Sequence, residues 1–209
     1  MTGRIIHSLD CVAEGAAWLA LREPAFARAL PMVGDLPLRR EADGFAALLR
    51  AIVGQQVSVA SARAVWDRLA VAGLTEATAM GEATDSDLRA VGLSRQKARY
   101  GRALAGAGID FEGLRVLPDA EVVRLLVAVP GIGVWTAEIY AMFALGRADV
   151  FAPGDLALQE AARLLFGLEK RPTDKELRVM SEAWSPWRSV AARILWAYYH
   201  VAKEREGVI

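Results

Sequence analysis

The residues best placed to do chemistry are a lone carboxylate, Asp155, and the glycine turn upstream of it, Val127-Ala-Val-Pro-Gly-Ile-Gly-Val-Trp-Thr-Ala137. Asp155 follows Phe151-Ala-Pro-Gly154 and precedes an apolar helical pattern, so it reads as an ordinary helix N-cap. The same position favours the charged carboxylate, and a fixed carboxylate in a dry cleft stabilises positive charge that develops on a substrate. The two roles are compatible, and both stay open on these residues alone. In the turn, Gly131 and Gly133 permit a tight bend and leave backbone N–H groups uncovered. A helix starts at once after them, so its N-terminus is a ready anion site, and the anion expected there is a nucleic-acid phosphate.

The elements around these groups read as helices. Val122, Leu125, Leu126 and Val129 share one face of a helix that Pro130 ends. Trp135, Ile139, Met142 and Phe143 form the apolar stripe of the next. Upstream, residues 8–20 and 24–30 read as short helices, broken at Glu23-Pro24 and Leu30-Pro31. Phe45, Leu48, Leu49 and Ile52 repeat at helical spacing, as do Ala62, Val65, Trp66 and Leu69, with Gly54-Gln-Gln-Val as the corner between. Thr75 to Leu88 reads as helical turns separated by Gly81. Ser94 is an expected N-cap for residues 95–106, Thr173-Asp-Lys-Glu176 is a capping box, and Ser185-Pro186 reads as an N-cap with Pro at the first helical position. Leu158, Ala161, Ala162 and Leu165 mark the helix after Asp155, and Ile194, Ala197, Tyr198 and Val201 the inner face of the last. No alternating strand series, repeat or low-complexity tract occurs, and the class is all-α.

The 209 residues are ample for a buried core, and 54% hydrophobic content argues against disorder. Twenty-five basic and 25 acidic residues cancel, so no net charge advertises a nucleic acid. Oriented amides and a local basic patch can still hold phosphates at zero net charge. The single Cys11 excludes an intrachain disulfide and a four-cysteine zinc or iron–sulfur site. No apolar run reaches the ~20 residues that span a bilayer, and the N-terminus lacks a signal-peptide layout. The expectation is a cytoplasmic, nucleoid-associated monomer with no membrane partner.

Four blocks in this order resemble the helix-hairpin-helix DNA glycosylase superfamily that includes endonuclease III. They are Gly54-Gln-Gln-Val-Ser58, Pro130-Gly-Ile-Gly133 with Trp135-Thr-Ala137, Asp149-Val-Phe-Ala-Pro-Gly-Asp155, and Trp184-Ser-Pro-Trp-Arg-Ser189. Within it, the nearest resemblance is to the alkylated-purine enzymes, over roughly residues 40 to 200. The resemblance implies a two-lobed helical fold. Residues 41–147 would form a helical barrel carrying the hairpin, and 1–40 plus 148–209 a second lobe, with an active-site cleft between them. It also implies base excision repair of double-stranded DNA containing damaged bases.

Carried over residue by residue, the resemblance makes Asp155 the catalytic carboxylate. Trp135 stands where glycosylase–lyase members hold an attacking lysine, so no amine is available for a Schiff base and a monofunctional enzyme is expected. Trp135, Trp187 and Tyr140 would line a base pocket, where electron-rich rings attract a cationic purine such as 3-methyladenine or 7-methylguanine. All three could equally be core. Ala51 stands where adenine-mismatch relatives hold a protonating glutamate, which suits substrates that are already good leaving groups. Gln56 would wedge into the gap left by the flipped base, and Gln55 would bond loop carbonyls within the protein.

The expected DNA contacts are completed by Ser58, Gly131, Ile132, Gly133, Thr136 and Lys97, with Arg188 a further candidate. Single basic residues are also common on solvated faces. Catalysis is expected to need no cofactor; the resemblance implies a monovalent cation, K+ or Na+, on the carbonyls of Val127, Val129 and Ile132. His7 and His200 lie outside the blocks and read as structural. Rival readings are a glycosylase for uracil or hypoxanthine, or a non-enzymatic hairpin protein that binds DNA without turnover.

Overall fold

The computed structural model describes residues 3–205. In chain order its helices are α1 (Leu9–Arg22), α2 (Pro24–Val33), α3 (Phe45–Gly54), α4 (Val59–Val71), α5 (Ala77–Glu82), α6 (Asp85–Ala90) and α7 (Arg95–Gly106). There follow α8 (Phe111–Leu114), α9 (Asp119–Val127), α10 (Val134–Phe143), α11 (Leu156–Phe166), α12 (Asp174–Met180), a 3-10 turn at Ser181–Trp184, and α13 (Arg188–Arg205). The class is all-α; the extended pairing among described residues is an isolated bridge between Ile5 and Arg147. No helix among the described residues is long and apolar enough to cross a membrane.

The chain forms two compact units, one of residues 1–40 with 141–209 and one of residues 41–140. Residues 141–147 group with the N-terminal segment because backbone bonds tie them to it. Ile6 N–H donates to Gly146 C=O at 2.7 Å, and Ala148 N–H to Arg4 C=O at 3.0 Å. In the first unit, Leu19, Phe26, Leu158, Ala161, Ala162 and Ile194 are fully buried. Trp184 gathers Phe26, Phe151 and Phe166 around it at centroid distances of 5.3 to 5.8 Å. In the second unit, Leu48, Leu49, Ile52, Leu69, Met80, Leu88 and Val122 form the core. Gly101 lets α7 approach there, because a Cβ on it would stand 3.0 Å from Met80 Sδ and 3.3 Å from Leu49 Cδ1.

Local caps set most boundaries. Ser58, Ser94, Thr173 and Asp155 each accept amides from the first turns of α4, α7, α12 and α11. Three expectations need correction. Pro31 does not break α2, which carries it in the last turn, where its missing N–H leaves one i→i−4 bond unmade and only two further residues follow. Gly81 lies inside α5, and the break falls at Ala83-Thr84, where the Thr84 capping box starts α6. Ser185-Pro186 does not open α13: that peptide bond is cis, the helix begins at Arg188, and Ser185 Oγ instead donates to Asp149 Oδ2 at 2.8 Å.

Candidate functional site

Asp155 lies in the first unit, half-buried, between exposed Gly154 and Leu156, which is 62% exposed. Its Oδ1 accepts from Ala157 N–H at 2.9 Å and Leu158 N–H at 3.1 Å, so it is the N-cap of α11. The same oxygen also accepts from Trp196 Nε1–H at 3.3 Å. Charge-assisted bonds of this kind fix a carboxylate rotamer as well as stabilising it. Trp196 is held in turn by Phe143, at a centroid distance of 5.7 Å, with the Arg39 guanidinium 5.7 Å from its ring centroid. Trp196 was not expected from sequence. On an apolar helix it looks like one more core aromatic, and only the fold brings its N–H to the acid.

The second unit holds the hairpin. The α9 helix ends at Val127, Ile132 N–H donates to Val129 C=O at 3.0 Å, and α10 starts at Val134. Gly131 has φ +96°, and a Cβ there would fall 2.4 Å from Tyr100 Cγ, so both conformation and space demand glycine. Gly133 is exposed, and a Cβ on it would meet nothing within 4 Å. Its surroundings leave room for a partner to come close to the backbone. Ile132 and Thr136, both expected at the DNA, are 4% and 6% exposed, so their side chains pack inside the protein. Trp135 is 46% exposed on the first turn of α10.

The Gln-Gln corner is tied to this turn. Gln55 Nε2 donates to Gly131 C=O at 2.8 Å, the internal role its position implies. Gln56 is exposed at φ +55°, a left-handed conformation that costs a non-glycine residue roughly 1 kcal/mol or more. Ser58 is exposed and caps α4, its hydroxyl also bonding Ser61 Oγ at 2.9 Å.

Other expected site residues have different surroundings. Lys97 Nζ donates to Val53 C=O at 2.7 Å, at the end of α3, and burial holds its ammonium below the usual lysine range. Arg188, a candidate phosphate contact, instead makes a two-pronged pair with Asp149 at 2.8 and 2.9 Å. Trp187 is 2% exposed, with Gly15 so close that a Cβ there would fall 2.7 Å from the indole; it is core where a pocket wall was expected. Tyr140 is 5% exposed, and its hydroxyl accepts from Gly44 N–H at 2.9 Å. Burial pushes that phenol up to about 12, so it serves as a neutral pin at the start of α3.

No cluster of three or more His, Cys, Asp or Glu suited to a metal occurs among the described residues. This does not bear on an ion held by backbone carbonyls.

Sequence and fold comparisons identify the family. A family model described as HhH-GPD superfamily base excision DNA repair protein matches residues 49–189. The chain belongs to that superfamily. It is 33% identical over 114 residues to the Bacillus subtilis protein YfjP, a match covering 53% of this chain and 40% of that relative's length. DNA-3-methyladenine glycosylase 1 of Schizosaccharomyces pombe is 32% identical over 158 residues, covering 71% of this chain and 69% of the relative. A solved structure of a 3-methyladenine DNA glycosylase from the same yeast, in complex with abasic DNA, matches with a TM-score of 0.74 at 27% identity. That match covers 88% of this chain and 95% of the other.

Proposed function

We propose that this chain is a monofunctional DNA glycosylase of base excision repair that extrudes an alkylated purine and hydrolyses its N-glycosidic bond. One observation carries the reading: a half-buried carboxylate, Asp155, is fixed at one oxygen by two helix amides and an indole N–H. The names of the similar proteins, DNA-3-methyladenine glycosylases, support the substrate class.

As the bond from C1′ to the base nitrogen lengthens, the electron pair leaves with the base and positive charge builds on the sugar. A fixed carboxylate stabilises that charge by a few kcal/mol. Water adds its oxygen to C1′, and its proton passes to solvent. A cationic base departs without acid help, which agrees with Ala51 in place of a glutamate. The exposed face of Trp135 would attract such a base and offers no amine for a covalent intermediate.

The amides of Gly131 and Gly133 would grip a phosphate of double-stranded DNA, and Gln56 would fill the vacated stack, aided by Ser58. The carbonyls of Val127, Val129 and Ile132 would hold a monovalent cation; neutral oxygen donors on one bend suit K+ or Na+. The enzyme would work as a monomer on the nucleoid.

The test is a duplex with one 7-methylguanine, analysed before and after alkali. Free base and a strand that breaks only in alkali are expected. Breakage without alkali, or no base released, contradicts the proposal.

A further inference from the structure

The connection from α2 to the end of the first unit's N-terminal segment carries two adjacent cations, Arg39 and Arg40, both exposed. Its backbone is unusually well held. Arg193, 1% exposed, sends Nε–H to Pro37 C=O at 3.3 Å and Nη2–H to Leu38 C=O at 2.9 Å. Its Nη1 is anchored on Ser189 C=O and Oγ at 2.8 and 2.6 Å. Two successive carbonyls are thus pinned from beneath, and the next residue, Arg39, takes φ +47°. That left-handed conformation is uncommon outside glycine, and where surroundings enforce it, it tends to mark a functional position. Arg40 is steadied as well, by an N–H to Phe143 C=O at 3.3 Å.

The electrostatics are equally specific. Among the described residues, Arg39, Arg40 and Arg193 have no carboxylate partner; their bonds go to carbonyls, a hydroxyl and ring faces. Burial, then the charges of Arg39 and Arg40, push the Arg193 guanidinium down to about 10. Three cations are therefore kept together at a cost, in a chain with no net charge. An anion would relieve the repulsion. The location names the anion: Arg39 stands over Trp196, whose indole N–H meets Asp155.

We propose that Arg39, with Arg40 beside it, binds a DNA backbone phosphate adjoining the nucleotide that Asp155 engages. The inference rests on the glycosylase reading and adds a binding site to it. A guanidinium suits this ligand because its planar donors match phosphate oxygens two at a time. The built loop presents that fork already ordered, so little side-chain freedom remains to be lost on binding.

The test measures affinity for an abasic duplex by fluorescence anisotropy over a range of KCl concentrations. The proteins are wild type, Arg39→Asn, Arg39→Lys, Arg40→Ala and the control Arg22→Ala, whose guanidinium stacks on Trp18. Asn is chosen because it tolerates the left-handed region. Arg39→Asn is expected to weaken binding several-fold and to reduce the slope of log K against log salt by about 1, the loss of one phosphate contact. Arg39→Lys should recover the slope but only part of the affinity; Arg40→Ala should give a smaller loss, and Arg22→Ala the wild-type slope.

An Arg39→Asn slope equal to wild type overturns the inference. So does slower base release at saturating enzyme with an unchanged slope, because that is the signature of a prop beneath Trp196. If wild type neither binds the duplex nor releases base, the glycosylase reading fails first and takes this site with it.

Discussion

Trp196 Nε1–H and the first amides of α11 meet on one oxygen of Asp155, at 3.3, 2.9 and 3.1 Å. A helix start would fix a capping aspartate by itself. The indole adds a donor from a distant helix, α13, and so ties the carboxylate to the unit's core as well as to its own turn.

Trp196→Phe keeps an aromatic ring but removes the pyrrole half of the indole together with its N–H. A hydrogen bond to a charged group contributes ~1.5–3 kcal/mol, and 1.4 kcal/mol is a factor of ten in rate. Single-turnover base release should fall about 3- to 12-fold if half of that reaches the transition state, with affinity for abasic DNA kept within about 2-fold. An unchanged rate would show that the indole does not orient the acid.

The two hairpin glycines should separate fold from function. Gly131→Ala forces φ +96° on an L residue and drives a Cβ into Tyr100, so a loss of ~2–4 kcal/mol is expected, read as a large drop in Tm. Gly133→Ala meets open space and should leave Tm nearly unchanged while weakening DNA binding, because its methyl covers the approach to the turn amides. Equal effects of the two variants on Tm would refute this division.

At the Gln-Gln corner, Gln55→Ala should cost about 1 kcal/mol of stability through the lost bond to Gly131. Gln56→Gly relieves a left-handed residue and should hold or raise Tm, yet slow base release several-fold. 2-Aminopurine placed beside the lesion reports the flipping step; a variant that flips as well as wild type would remove the wedge role.

Tyr140 makes a pH prediction. Its phenol is raised from the ordinary value near 10 to about 12, so the fold favours the neutral form. That contribution is fully present below pH 10 and is lost as the pH rises from about 10 to about 12. Tyr140→Phe should therefore show a shallower fall of Tm over that alkaline range, after allowance for its lower starting Tm. Parallel curves would contradict it.

Much of the second unit was legible in the sequence. Residues such as Leu48, Leu49 and Ile52 repeat at helical spacing because one face is buried and the other solvated, and a cap such as Ser94 acts over three residues. The first half of α13 was not legible in that way. Residues 189–196 are buried all round, so no period separates a core tryptophan from one that serves Asp155. Trp187 shows the converse: its place in a motif block suggested a pocket, and packing against Gly15 claims it. Lys97 and Arg188 found internal partners that no local pattern encodes, since Val53 and Asp149 lie far away along the chain.

The central claim is that the charge of Asp155 breaks the glycosidic bond. Asp155→Asn keeps an oxygen that can accept the same three N–H groups while removing the charge. Single-turnover release of 7-methylguanine, measured beside abasic-duplex affinity, tests this most directly. A rate loss of about 100-fold or more with affinity retained is expected; release near the wild-type rate would contradict the account.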